Sequence, residues 1–319
     1  MRKGTWKDDK NKVEWDSSYK ELEDSLQGYR CMNPCTVYDR TSKTLFLFFI
    51  CVPNGVSEAY QIKTKKNQAR LCYKTSKDAG KNWGPLIDLT SIICKKKKNW
   101  ATFAVGPGHG IQMKCGRLII PAYAYYFDCT ITKPTSRAFT FYREQTENTW
   151  QVGEFIDDDE TKNPSNECQM AEIIDGSGHS TLYCNARSTS GHRVEALSSS
   201  RGEAFDKPST FHMLNETSKG CQGSVLKIQN SDNSTWLLYS HPTDENEKKN
   251  LGIHVNKTPL DLKQWNLKAI INNGPSGYSD LAECAKTEYI ACLMERGDKK
   301  EIEEITFQFV KIKDEHQSS

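Results

Sequence analysis

Several clusters in this chain carry side chains that could do chemistry, and most of them read as ordinary core or surface. Residues 104–110, Ala-Val-Gly-Pro-Gly-His-Gly, look like a glycine-rich phosphate cradle. That reading needs a following Gly-Lys-Ser/Thr and a helix to cap, and Ile111-Gln112-Met113 supplies neither. Twelve cysteines could build disulfides or zinc sites, but their spacing is irregular and no C-x-x-C pair occurs. Cys51, Cys72, Cys184 and Cys292 sit inside apolar runs, where a thiol behaves as a small hydrophobe, so the set reads as reduced. Asp157-Asp158-Asp159-Glu160 lacks the spaced oxygen ligands of a calcium loop. Lysines 95–98 would attract phosphates or an anionic membrane face, although four lysines in a loop are most often a solvated run. The sequons at Asn215, Asn233 and Asn256 carry little weight, because such triplets arise by chance. Taken singly, Glu167 reads as a surface carboxylate, Arg187 as a strand end and Tyr278 as a turn aromatic. Tyr123 and Tyr125 alternate as core residues would.

The elements that must position such residues are short strands. A chain of 319 residues, 36% hydrophobic and 26% charged, is long enough for one large β domain and has no disorder signature. Its formal net charge of +2 argues against a nucleic-acid partner. No window approaches twenty apolar residues, and the charged start at Met1-Arg2-Lys3 does not read as a secretory leader. The expected location is therefore cytoplasmic, peripheral to a membrane, or both. Residues 45–52 form the longest apolar run and read as a central strand, and residues 19–26 are expected to form a short surface helix. Gly, Pro, Asn and Asp clusters separate the remaining apolar runs, so the class is all-β.

Residues 76–83, Ser-Lys-Asp-Ala-Gly-Lys-Asn-Trp, are the clearest turn. The Asp accepts hydrogen bonds from backbone N–H groups, the Gly supplies a positive φ, and the Trp packs over the turn. The pattern S-x-D-x-G-x-x-W matches the Asp-box of β-propeller glycosidases. Weaker copies end at Trp150, Phe205 and Trp265, roughly 60 residues apart. That interval is longer than the roughly 40–50 residues of common propeller repeats, as expected if loops are inserted between four-stranded blades. A β-sandwich is the alternative.

A set of ordered blocks sharpens this reading. They are Met32-Asn33-Pro34-Cys35, residues 100–110, Pro121-Ala122-Tyr123-Ala124-Tyr125, Glu167-Cys168-Gln169 and Asn185-Ala186-Arg187-Ser188. Gly220-Cys221-Gln222-Gly223-Ser224, His241-Pro242-Thr243 and Gly277-Tyr278-Ser279-Asp280-Leu281 complete it. In that order, from about Arg2 to Val310, they closely resemble the vertebrate exo-α-sialidases, in particular the cytosolic and ganglioside-directed branch. The resemblance implies a single domain over residues 1–319 folded as a six-bladed β-propeller. It implies removal of terminal sialic acid from gangliosides, oligosaccharides or glycoproteins, with no metal and no cofactor.

Sialic acid carries a carboxylate on its anomeric carbon, which would repel a carboxylate nucleophile, and sialidases use a tyrosine instead. A phenol with a pKa near 10 needs a base in hydrogen-bond contact to attack at neutral pH. By motif, Tyr278 matches the nucleophile and Glu167 its base. The family holds the substrate carboxylate with three arginines, and Arg187 matches one. Met32, Asn33, Glu58, Tyr123, Tyr125 and Gln222 match the remaining pocket, with Met32 and the tyrosines as walls and Glu58 and Gln222 reaching polar substituents.

Two departures stand out. The family's first arginine and its acid/base Asp lie in motifs that precede the match to Met1-Arg2-Lys3-Gly4, so the chain reads as an N-terminally incomplete form with a partly closed first blade. Losing a general acid costs ~10²–10⁴-fold in rate. At the third arginine this sequence has Lys248, with Lys249 one residue away in an open register; a lysine keeps the charge and loses the bidentate fork. The rival expectations are a sialic-acid-binding propeller without turnover and, more weakly, a propeller that binds no sialic acid.

Overall fold

The computed structural model describes residues 4–7, 12–15, 22, 26–94, 98–130, 133–157, 163–209, 213–229, 234–284 and 288–312. A hairpin, β1 (Gly4–Lys7) and β2 (Lys12–Trp15), comes first. The first sheet holds β3 (Tyr29–Asp39) and β4 (Thr44–Pro53), then, after helix α1 (Glu58–Thr64), β5 (Arg70–Ser76) and β6 (Ile87–Asp88). Helix α2 (Thr90–Cys94) leads to β7 (Trp100–Val105), and the short β8 (Gly108–His109) returns to pair in parallel with β3. The second sheet joins β7 to β9 (Ile111–Gln112), β10 (Leu118–Tyr126), β11 (Thr135–Arg143) and β12 (Gln151–Val152). The third is β13 (Cys168–Ile174), β14 (Ser180–Ala186) and β15 (Val194–Ser198). The fourth is six-stranded: β16 (Ser224–Gln229), β17 (Thr235–Pro242), β18 (Lys249–Asn256), β19 (Asn266–Glu283), β20 (Tyr289–Arg296) and β21 (Glu304–Lys311).

The molecule is all-β, a β-propeller with four blades among the described residues. Side chains alternate along a strand, so a strand between two neighbouring sheets can feed both interfaces. Leu118 and Ile120 pack into the core shared by the first two sheets, while Ile119 between them joins the next core. Met170 faces that second core, and Ala171 the one between the third and fourth sheets. Aromatic rings pack within the first of these cores: Trp150 stands edge-on to Phe46 and Phe48 at 6.2 and 4.8 Å. All-round burial explains why β4 and β10 read as continuous apolar runs.

β19 is 18 residues long and serves two meanders: residues up to Pro275 pair with β18, and residues from Ser276 on pair with β20. β21 ends its sheet, with Ile305 at 72% exposure, and Trp15 of the hairpin stands edge-on to Phe307 at 5.4 Å.

The octapeptide forms the expected turn between β5 and β6. Gly80 N–H bonds to Ser76 Oγ at 2.8 Å, Asn82 N–H to Asp78 Oδ1 at 2.9 Å, and Trp83 Nε1 to Gly80 O at 3.1 Å. The copy at 198–205 repeats the geometry. Gly202 N–H bonds to Ser198 Oγ and Ala204 N–H to Ser200 Oγ, both at 2.9 Å, and Gly80 and Gly202 share a φ near +80°. Ser200 thus stands in for the Asp. Most of the helix expected over 19–26 lies outside the described residues; Leu22 and Leu26, which are described, are not helical. Lysines 95–97 and residues 158–160 also lie outside them, while Asp157 pairs with Arg137 at 2.8 Å. The helix that does form, α1, was not expected: Ser57 caps it by accepting Tyr60 N–H at 3.0 Å.

Candidate active site

Glu167 immediately precedes β13 and Arg187 immediately follows β14. The antiparallel ladder continues past the strand ends, with Arg187 N–H donating to Glu167 O at 3.2 Å, so the two side chains lie on paired backbone. Arg187 Nη1 bonds to Glu167 Oε2 at 2.7 Å and reaches Tyr278 Oη at 3.2 Å. Tyr278 donates its hydroxyl to Glu167 Oε1. Tyr278 sits where β19 bulges, between Ser276 and Ser279, and its backbone N–H is held by Glu295 Oε2 at 3.0 Å. A Cβ at Gly277 would meet that same Glu295 oxygen, so the glycine leaves room for the clamp. A cleft of about 380 Å³ reaches this point, lined in part by Gln222, Tyr278, Asp280 and Ile305.

Burial pushes the Tyr278 phenol well above its ordinary pKa, and the neighbouring Glu167 carboxylate adds to the shift. The phenol is therefore neutral and donates to Glu167. Burial opposes the charge on Arg187, but Glu167 outweighs it and raises the guanidinium pKa further. Arg187 Nη2 bonds to Lys219 O at 2.9 Å, and its buried Nε has no hydrogen-bond partner among the described residues. Lys248 Nζ lies 5.6 Å from the Tyr278 ring centroid and 3.6 Å from Glu301 Oε1.

The other matched positions surround this cluster unevenly. Tyr123 and Tyr125 stack edge-to-face at 6.3 Å. Burial raises both phenols, Tyr123 well above its usual value and Tyr125 to about 12, with Glu58 and Glu167 facing each. Glu58 starts α1 at the rim; its surface is exposed, while crowding around the carboxyl and then the charge of Glu167 raise its pKa. Asn33 holds a positive φ of 55° on the bulge of β3 and bonds to Val105 O at 3.3 Å. Met32, 41% exposed, lines a separate apolar cavity with Leu47 and Phe49. Gln222 lines the cleft beside Tyr278. Its amide bonds to Pro107 O, Ser279 O and Ser279 N–H at 3.0–3.2 Å, so it braces the backbone beside Tyr278.

This chain matches the BNR repeat-like domain family over residues 4–290. It is 41% identical over 347 residues to Sialidase-3 of Mus musculus, covering 96% of this chain and 82% of that protein. The chain belongs to the sialidase family. It is also 40% identical over 314 residues to Sialidase-2 of Mus musculus, covering 95% of this chain and 81% of that protein. Among solved structures, the Hadza microbial sialidase Hz136 shares the fold with a TM-score of 0.72 at 20% identity. That match covers 89% of this chain and 53% of the other, so the chain spans about half its length.

Around this cluster, some residues that hold others in place carry no sequence motif. Glu295 and Glu301 sit on or near β20 with no motif to mark them. Gly220 has a φ of +68°, and a Cβ there would meet Ser188 O and the Arg187 side chain. The available signal was the block Gly-Cys-Gln-Gly, in which the first glycine is a backbone requirement.

Proposed function

We propose that the chain is an exo-α-sialidase acting on terminal sialic acid of gangliosides, oligosaccharides and glycoproteins. The observation that carries this reading is the three-way contact of Tyr278, Glu167 and Arg187. Tyr278 Oη attacks the anomeric carbon as its proton passes to Glu167, and the bond to the aglycone oxygen breaks, the aglycone taking a proton from solvent water and leaving as the alcohol. Water then attacks the anomeric carbon of the tyrosyl intermediate and gives a proton to solvent, while Tyr278 leaves and takes its proton back from Glu167, so two inversions give overall retention. A neutral phenol suits this role, because it approaches the anionic sugar without a charge and loses its proton only as the new bond forms. Arg187 and Lys248 receive the substrate carboxylate, the guanidinium through its remaining donors. Glycolipid access would be peripheral: among the described residues no helix is long and apolar enough to cross a membrane. Six blades belong to the same reading, supported by the division of the six-stranded sheet into two meanders at Ser276 and by the hairpin beside β21.

A second reading is binding of sialic acid without turnover, which needs the cleft and the Arg187 guanidinium but no attack by Tyr278. Proton NMR of 3′-sialyllactose mixed with the chain separates the readings. Hydrolysis with retention gives α-sialic acid first, and β-sialic acid appears later by mutarotation. Line broadening of intact trisaccharide with no release supports the lectin reading, and β-anomer first contradicts retention.

A further inference from the structure

The Glu216 carboxylate is completely buried and takes hydrogen bonds from four donors. Oε1 accepts from Ser188 N–H at 2.9 Å and Arg193 Nη1 at 2.7 Å; Oε2 accepts from Cys221 N–H and His241 Nε2, both at 3.0 Å. Two of these donors are backbone groups next to site residues: Ser188 follows Arg187, and Cys221 precedes Gln222. Other atoms of the same segment extend the reach. Lys219 O accepts from Arg187 Nη2 at 2.9 Å, Ser218 Oγ donates to Asn246 O at 2.9 Å, and Asn215 Nδ2 donates to Glu245 Oε1 at 2.7 Å. The last two contacts hold the loop that leads into Lys248.

We propose that Glu216 is a positioning residue for the carboxylate-binding side of the site, fixing the backbone beside Arg187 against the backbone beside Gln222. The inference rests on the sialic-acid reading of the site. A carboxylate suits the task because it is acceptor-only, with two oxygens able to serve all four donors. An amide offers one acceptor oxygen and turns an N–H toward donors, leaving at least two unpaired. Burial opposes ionisation, but the Arg193 charge and the His241 bond outweigh it and hold the acid at about 2. Burial also lowers the His241 pKa, which keeps its ring neutral and its Nε2–H a donor.

The test compares Glu216→Gln with Glu172→Gln. Glu172 is another buried carboxylate, bonded to Lys114 N–H and Ser180 Oγ, and it touches neither loop. Each variant is measured for thermal midpoint, for sialyllactose Kd by NMR titration, and for kcat and KM on a fluorogenic sialoside. Both should melt lower. Only Glu216→Gln should weaken binding, raising Kd and KM by at least about tenfold and lowering kcat/KM by up to about 10²-fold. If Glu216→Gln does not fold, Glu216→Asp keeps the charge beside Arg193 but is too short to span both backbones, and it should show the same rise in Kd. An unchanged Kd in the folded variant, or an equal rise in Glu172→Gln, overturns the proposal. Absence of sialyllactose binding by the unsubstituted chain is a different outcome and removes the sialidase reading itself.

Discussion

Tyr278 donates its phenolic hydrogen to Glu167 across 111 positions of sequence, and Arg187 bonds to both partners. A phenol, a carboxylate and a guanidinium share one hydrogen-bonded cluster, and the bulge in β19 brings the phenol to it. Tyr278→Phe keeps the ring and removes the oxygen. Sialoside turnover should fall by at least about 10³-fold, while sialyllactose Kd stays within about threefold. Steady-state kinetics beside NMR titration reads both.

Gly220→Ala places a Cβ against Ser188 O and the Arg187 side chain at a φ of +68°. The left-handed backbone alone costs about 1–3 kcal/mol in a non-glycine residue. The neighbour that must move is the backbone beside Arg187, so sialyllactose binding should weaken together with the thermal midpoint. Calorimetry and the titration together check this.

Glu195 is a buried carboxyl on β15 that accepts from Tyr183 Oη at 2.6 Å and Trp265 Nε1 at 2.8 Å. Burial pushes its pKa up to about 7 despite those bonds. Folding therefore favours the protonated form. The contribution is full below about 4.5 and is lost as pH rises through about 7, a swing on the order of 3 kcal/mol. Glu195→Gln lacks this titration. Its stability relative to the unsubstituted chain should improve steadily between pH 4.5 and 7.5, as measured by urea unfolding across that range.

Ile305 begins an uncharged stretch of β21, the last strand of its sheet, and is 72% exposed. Edge strands of this kind template association with other chains, and a lysine on the edge discourages it. Ile305→Lys should reduce self-association in light scattering at equal concentration. The thermal midpoint should change little, since exposed substitutions usually stay within about 0.5 kcal/mol.

Where local chemistry decided the structure, the sequence was readable. Ser76, Asp78, Gly80 and Trp83 specify their turn through their own bonds, and Ser198 with Gly202 repeats it with a serine in place of the Asp. The apolar run at 45–52 had to be a strand buried on both faces. Glu167, Arg187 and Tyr278 were different: each had an ordinary reading, and only the ordered blocks singled them out. What stayed illegible depends on distant backbone. Gln222 reads as a free polar group until Pro107 and Ser279 are brought beside it. No motif marks Glu216, and its role depends on Ser188, Arg193, Cys221 and His241 converging on it.

The most direct test of the account is covalent trapping with a 3-fluorosialosyl fluoride, followed by peptide mass mapping. The fluorine beside the anomeric centre slows hydrolysis of the glycosyl-enzyme, so the nucleophile retains the sugar. One added fluorosialosyl group is expected, located on Tyr278, with no labelling of Tyr278→Phe. A label on any other residue, or sialoside hydrolysis by Tyr278→Phe at the unsubstituted rate, would contradict it.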